Sequence, residues 1–186
     1  ELNLPKVVLV DAKADVKLEG DVVLHARSAG KHGKNPTVLL LSDPETCYVF
    51  DLREKREERR EKIATILQSS VSSFSSVVGH DLKNSYKVFL ELGIEKLPRV
   101  AHDTLIGAFT VDALRRDQTL SEQASADLGY EVELDNLDDD ELITKAGEIT
   151  AVIRELANLQ GEQISEVTSL IKMVETVDWP VIPVLA

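Results

Sequence analysis

Apolar positions change rhythm partway along this chain. As far as Asp51 they come in short β-branched runs: KVVLV from Lys6, DVVLHARS from Asp21, TVLLLS from Thr37 and TCYVFD from Thr46. Runs of this length, bounded by Asp, Gly and Pro, predict strands. Asp43-Pro44-Glu45 between the last two is a turn signal, so those two form a hairpin. From Arg53 the period lengthens. REKREERREKIATILQ predicts a helix whose charged first half is solvated, with Glu58 and Lys62 at i,i+4, and whose Ile63, Ile66 and Leu67 face inward. FSSVVGHD reverts to a short strand. LKNSYKVFLELG predicts a helix with Leu82, Tyr86, Phe89 and Leu90 on one face and Gly93 at its end. RVAHD after Pro98 is a brief extended segment, and TLIGAFTVDAL a helix. Thr119 and Glu122 stand at capping-box spacing at the head of a helix that stops at Gly129. Two helices follow, one carrying Ile149, Val152, Ile153, Leu156 and Leu159, the other Ile164, Val167, Leu170, Ile171 and Val174. Strands first, helices later and a crossover helix between strands predict an α/β architecture: a mixed sheet covered by helices.

Bulk composition narrows the class. At 186 residues, with 43% hydrophobic and 29% charged, the chain is long and apolar enough to bury the core of one globular domain spanning residues 1–186. No apolar run approaches the roughly 20 residues that span a bilayer, so no membrane partner is expected. The start, Glu1-Leu2-Asn3, has neither an initiator methionine nor a basic-then-apolar signal pattern, as expected of a cytoplasmic piece of a longer chain. The lone Cys47, in the apolar run TCYVF, excludes a disulfide framework and reads as a buried inert thiol. A formal net charge of −12 argues against general affinity for nucleic acid, which Lys and Arg create by neutralising phosphates. Any nucleic-acid role is therefore local, metal-supplied or carried by other parts of a larger protein.

Most familiar chemistries find no support. No G-x-S-x-G elbow accompanies the four histidines, and neither G-x-x-x-x-G-K-[ST] nor G-x-G-x-x-G occurs. His25 and His32, with Lys31 and Lys34 nearby, could suggest a phosphate or metal pocket; a polar surface loop explains the Gly- and Lys-rich segment more simply. DNLDDDEL, Asp135 to Leu142, is dense in carboxylates but lacks the glycine and distal glutamate of a calcium loop. Acidic residues at a helix N-terminus account for it. KVVLVDA alone would suit a phospho-receiver domain, but regular strand–helix alternation does not continue.

The stretch from Val77 to Ala113 carries the most specific signal. Gly79-x-Asp81-Leu82-Lys83 looks like a G-x-N-x-K segment followed by a helix ending in a Gly-Ile turn. Ala101-His102-Asp103-Thr104 looks like an x-F-D-T helix entry, and Thr119 to Leu128 like an S-L-A helix. In this order the segments resemble the 3′–5′ exonuclease domain of bacterial family A DNA polymerases. WPVIPVLA, Trp179 to Ala186, is similar to the segment that leads into the polymerase part. The resemblance implies a ribonuclease H-like mixed sheet flanked by helices. In active members two divalent metals, held by four carboxylates, clamp the attacking and leaving oxygens of a 3′-terminal phosphodiester.

Carried over residue by residue, the resemblance finds none of those carboxylates in place. His25 and Arg27 stand where the family's first strand has Asp-x-Glu. Ser85 stands at the third ligand position, and Ile149 at the fourth, in KAGEITAVI, with Glu148 one residue away and Lys145 in place of a tyrosine. Arg27 brings a fixed positive charge that repels a dication. The resemblance thus implies a vestigial exonuclease-like domain without catalytic, metal or cofactor sites, magnesium being expected only in the parent polymerase site. Its partner would be the polymerase domain of the same chain, with DNA reached through that enzyme, and the fragment itself a monomer in a structural role. Two alternatives stand beside it: an active nuclease with relocated ligands, for which Asp81, Asp103 and Glu148 are the candidates, and a stand-alone interaction module.

Overall fold

The computed structural model describes residues 2–54, 56–116 and 119–186. Its six strands are β1 (Lys6–Leu9), β2 (Val22–Ser28), β3 (Pro36–Ser42), β4 (Thr46–Asp51), β5 (Ser76–Gly79) and β6 (Arg99–Asp103), in the order β1-β4-β3-β2-β5-β6. β2, β3 and β4 form an antiparallel meander, while β5 and β6 add in parallel beside β2, and β1 adds in parallel beside β4. The turn between β3 and β4 forms as expected: the Asp43 carboxylate accepts hydrogen bonds from the amides of Glu45 (2.9 Å) and Thr46 (2.8 Å).

Both sheet faces are covered, so the strands read as continuous apolar runs. Val22, Leu24, Leu39 and Leu41 face one layer, with α1 (Glu57–Val71) and α2 (Leu82–Glu91); Val23, Val38 and Leu40 face the other, with α4 (Leu120–Leu128) and α6 (Ala146–Ser165). A strand's two-residue period sorts them. This is the α/β mixed sheet that the sequence predicts.

Several boundaries shift. The charged helix starts at Glu57 rather than Arg53, and Lys55 lies outside the described residues. Glu58 and Lys62 pair at 2.7 Å. In α2 the inward face is Leu82, Tyr86, Val88 and Phe89; Leu90 is 42% exposed, because the helix turns it one position past the buried stripe. α3 (Thr104–Val111) ends earlier than expected, where Asp112 goes extended. α4 has its capping box and a left-handed Gly129 (φ +62°). A short α5 (Asp139–Thr144) follows, capped reciprocally by Asp138 and Glu141, which accounts for most of the acidic run.

The expected last helix is instead broken. Ile164 closes α6, and α7 (Thr168–Met173) runs through a π turn at Val174–Asp178 into α8 (Trp179–Leu185). Pro180, at the start of α8, lacks an amide hydrogen to donate to the preceding turn, where the helical ladder widens. α8 packs on β6, its Trp179 ring 5.0 Å from that of His102. Among the described residues no helix is long and apolar enough to cross a membrane.

Candidate functional site

A cleft of about 430 Å³ opens at the carboxyl ends of β2 and β5. There the sheet reverses its winding: β2 connects outward to β3, whereas β5 begins the parallel half. Such a switch point leaves a crevice because successive connections depart to opposite sides. The cleft walls come from β2 (His25, Ala26, Arg27), the β5–α2 junction (His80, Asp81, Asn84, Ser85), the first turn of α3 (Leu105), the start of α4 (Thr119, Leu120) and the acidic segment before and within α5 (Leu134, Asp135, Leu137, Leu142).

His25 and Arg27 share the strand face of buried Val23 and emerge where the sheet stops. A register shift between Arg27 and Ser28 bends the strand beside the cleft. His25 lines the cleft and is half-buried, with its Nδ1 sealed from solvent and without a hydrogen-bond partner. Burial pushes its pKa down to about 4, His80 and Arg27 push the same way, and Asp135 opposes them. The ring is therefore neutral at pH 7. Arg27 has its Nε 3.7 Å from Asp139 Oδ1, an oxygen that also accepts from the Thr37 hydroxyl (3.0 Å), and its Nη1 is buried without a partner. Ser85 reaches the same point from α2: its Oγ accepts the Ala26 amide at 3.2 Å.

Three of the four ligand-equivalent positions thus converge. The fourth does not line the cleft. Ile149 is fully buried in the apolar layer with Val23, Val38 and Val152, and Glu148 is only partly buried and also absent from the cleft wall.

Asp103 proves unsuited to metal binding. It is 1% exposed and lies outside the cleft lining. Its carboxylate accepts from the amides of Leu82 (2.7 Å), Leu105 (2.9 Å) and Ile106 (3.2 Å), tying together the first turns of α2 and α3. Burial nonetheless raises its pKa to about 6 against the pull of those amides. Asp81 does reach the cleft, from a left-handed backbone (φ +56°), and accepts from the Asn84 side chain.

Two cleft residues take roles that the sequence reading does not give them: His80 is not singled out there, and Asp135 is read only as part of an acidic run at a helix N-terminus. His80 has its Nδ1 2.8 Å from Thr104 Oγ1. Asp135 accepts from the amides of Leu120 and Ser121, both at 2.9 Å, and from the Ser121 hydroxyl. Burial raises its pKa, but those donors outweigh burial and hold it below the usual carboxylate range. The Gly-His-Asp sequence after β5 could have signalled His80; the acidic run draws attention to Asp135, but nothing local gives its partners, which lie more than a dozen residues earlier. The segment Lys31–Lys34 is the polar surface loop that the sequence reading prefers over a His25–His32 pocket: His32 sits exposed on the turn at Lys31–Gly33. Cys47 is buried, and its pKa is raised to about 11 by that burial.

These donors do not fit a pair of divalent cations. Both oxygens of Asp135 already serve the head of α4, and Arg27 sets a fixed positive charge at the strand tip. Among the described residues no group of three or more His, Cys, Asp and Glu is placed to hold a metal ion.

No family model matches the sequence, and no curated protein is detectably similar to it. Solved structures do resemble its fold. Brucella melitensis NrnC with bound Mg²⁺ superposes with a TM-score of 0.68 at 14% identity, over 97% of this chain and 91% of that one. Pol1 from M. smegmatis, in complex with DNA primer-template and dNTP, gives 0.63 at 18% identity, over 87% of this chain and 26% of that one. The catalytic core of RRP6 from Trypanosoma brucei gives 0.62 at 10% identity, over 89% and 45%. At these identities the likeness is one of fold: the chain has the ribonuclease H-like mixed sheet flanked by helices, with its cleft where the meander meets the parallel strands.

Proposed function

We propose that this chain is a catalytically silent 3′–5′ exonuclease-like domain that supports the DNA-synthesising domain of a family A polymerase. The observation that carries the reading is the strand tip. Two-metal hydrolysis needs clustered anionic oxygens, and the positions from which β2 and α2 would supply them hold an imidazole, a guanidinium and a hydroxyl. At the corresponding position the late helix has Ile149, packed into the core, and its neighbour Glu148 does not line the cleft. The order of segments from Val77 to Ala113 favours the polymerase setting, as does the fold likeness to part of Pol1.

A nuclease with relocated ligands is the second reading, favoured by Asp81 and Asp135 on the cleft wall; the fold likeness to a structure described as the apo form of the nuclease, over 98% of this chain and 90% of that one, suits it. Incubation with 3′-labelled single-stranded DNA, in Mg²⁺ or Mn²⁺ and in chelator, separates the two. The silent domain leaves the label intact in every condition. Chelator-sensitive shortening that Asp81→Asn or Asp135→Asn abolishes would establish the second reading instead.

A further inference from the structure

The last helical segment grips the fold at few points. Along α7, the π turn and α8, only Val174, Trp179 and Ile182 are buried. Leu170 and Ile171 reach the core half-buried, while Met173, Val177, Val181, Val184 and Leu185 face solvent. Polar side chains add nothing to the grip. Thr176 donates to the Lys172 carbonyl (2.6 Å) within the segment, and among the described residues no ion pair joins it to the rest of the fold. A segment with so little buried apolar surface opens locally well before the sheet unfolds.

Its middle anchor rests on a histidine. The Trp179 ring lies 5.0 Å from that of His102, inclined at 55°, and both residues are buried. His102 also meets α6, its Nε2 2.8 Å from Gln160 Oε1. The Gln160 amide nitrogen donates to the Thr104 carbonyl (3.1 Å) and to Gln123 Oε1 (3.3 Å), so its oxygen faces the ring and Nε2 carries the proton of the neutral imidazole. Gly107 leaves the room: a Cβ there would come within 2.5 Å of Nε2. A second proton on the ring would place a full charge beneath Trp179, and no carboxylate is set to offset it. β5 presents Val78 opposite His102, α3 Gly107, α6 Gln160 and α8 Trp179. Asp103, next on β6, turns its oxygens to the amides of Leu82, Leu105 and Ile106, and His80 meets the Thr104 hydroxyl. Lys172, Glu175 and Asp178 on the segment itself exert no pull on the ring. Burial accordingly holds the His102 pKa below its ordinary value, with the Gln160 bond pulling the other way.

We propose that residues 168–185 form an acid-released strap, clasped to β6 by Trp179 on His102 and lifted as a unit when that imidazole is protonated. The proposal goes beyond the reading of the cleft and is the same for a silent cleft or an active one. Its sign follows from exposure. With the strap lifted the ring meets water and titrates near 6.5; with the strap docked its pKa is lower, so the proton favours the lifted form. Docking is at full strength above pH 6.5 and weakens below it, by up to about tenfold for each pH unit.

The test is amide exchange of the intact chain, read by mass spectrometry between about pH 7.5 and 5 and corrected for the intrinsic rate. Emission of Trp179, the chain's one tryptophan, is followed alongside. Exchange in 168–185 should rise by up to about tenfold per pH unit below 6.5 while β3 stays protected in the same molecules, and the emission should shift to the red. His102→Phe, which keeps a ring under Trp179, and His102→Gln, which keeps a donor for Gln160, should each abolish the pH response; His25→Gln should retain it. No response in the wild type, a response that survives in either His102 variant, or loss of protection in the strap and β3 together overturns the proposal. Quenching of Trp179 with exchange unchanged would show the charged ring held in place beneath the indole as a cation–π pair, and overturns it too.

Discussion

Replacing His25 by glutamine tests whether the cleft tip is as enclosed as the geometry indicates. The ring's pKa falls from an ordinary 6.5 to about 4 on folding, chiefly through burial. For a base whose folded pKa is depressed, the unfolded chain takes up the proton first as pH falls. Stability is therefore fully present above pH 6.5 and is lost toward pH 4. Linkage across that gap gives about 2.5 kcal/mol lost at pH 4.5 and about 3 kcal/mol in all. Urea melts of wild type and His25→Gln, run in parallel between pH 7.5 and 4.5, provide the assay. Asp103, whose raised pKa pulls stability the opposite way over part of the same range, is present in both proteins and cancels in the difference. The wild type's advantage over the variant should shrink by about 2.5 kcal/mol on acidification to pH 4.5. A pH-independent difference would show that His25 titrates in the folded protein as it does in water, and the enclosed, neutral imidazole would be wrong.

Three further outcomes follow from close contacts and burial. Gly107→Ala should cost about 1–3 kcal/mol in denaturant melts, because its Cβ would meet Gln160 Oε1 at 2.3 Å and His102 Nε2 at 2.5 Å. Gly161→Ala, also within a helix but with open space around it, should be neutral or stabilise by up to about 1 kcal/mol. Ile149→Asp should lower stability by about 3 kcal/mol or more and create no metal site visible in calorimetric Mn²⁺ titration; Mn²⁺ binding by that single variant would place residue 149 in the cleft rather than the core. Cys47 should resist thiol reagents in the native protein and react at the rate of unfolding, read by mass spectrometry across a urea series.

The sequence by itself determined the elements and the chemistry of the strand tip. Two-residue alternation places His25 and Arg27 on one face whatever β2 packs against, and three- and four-residue spacing puts Ile149 in a stripe with Val152, Ile153 and Leu156. Short-range signals, such as the capping box of α4 or the Asp43 turn, were legible because both partners lie within a few residues. Helix ends were less so, as with Leu90 and the broken final helix, where propensity leaves the choice to packing. Only the tertiary structure decided the fate of the carboxylates. Asp103 is withdrawn from the cleft because amides 21 residues earlier and two to three residues later converge on it, and Asp135 is committed to the head of α4 across a loop. Tertiary structure likewise packed the turn at Gly33 against the backbone of Lys87 in α2, more than fifty residues later in the chain. The physical reason is common to all three. Hydrogen-bond partners and charge neighbours depend on distance in space, whereas a sequence displays only distance along the chain.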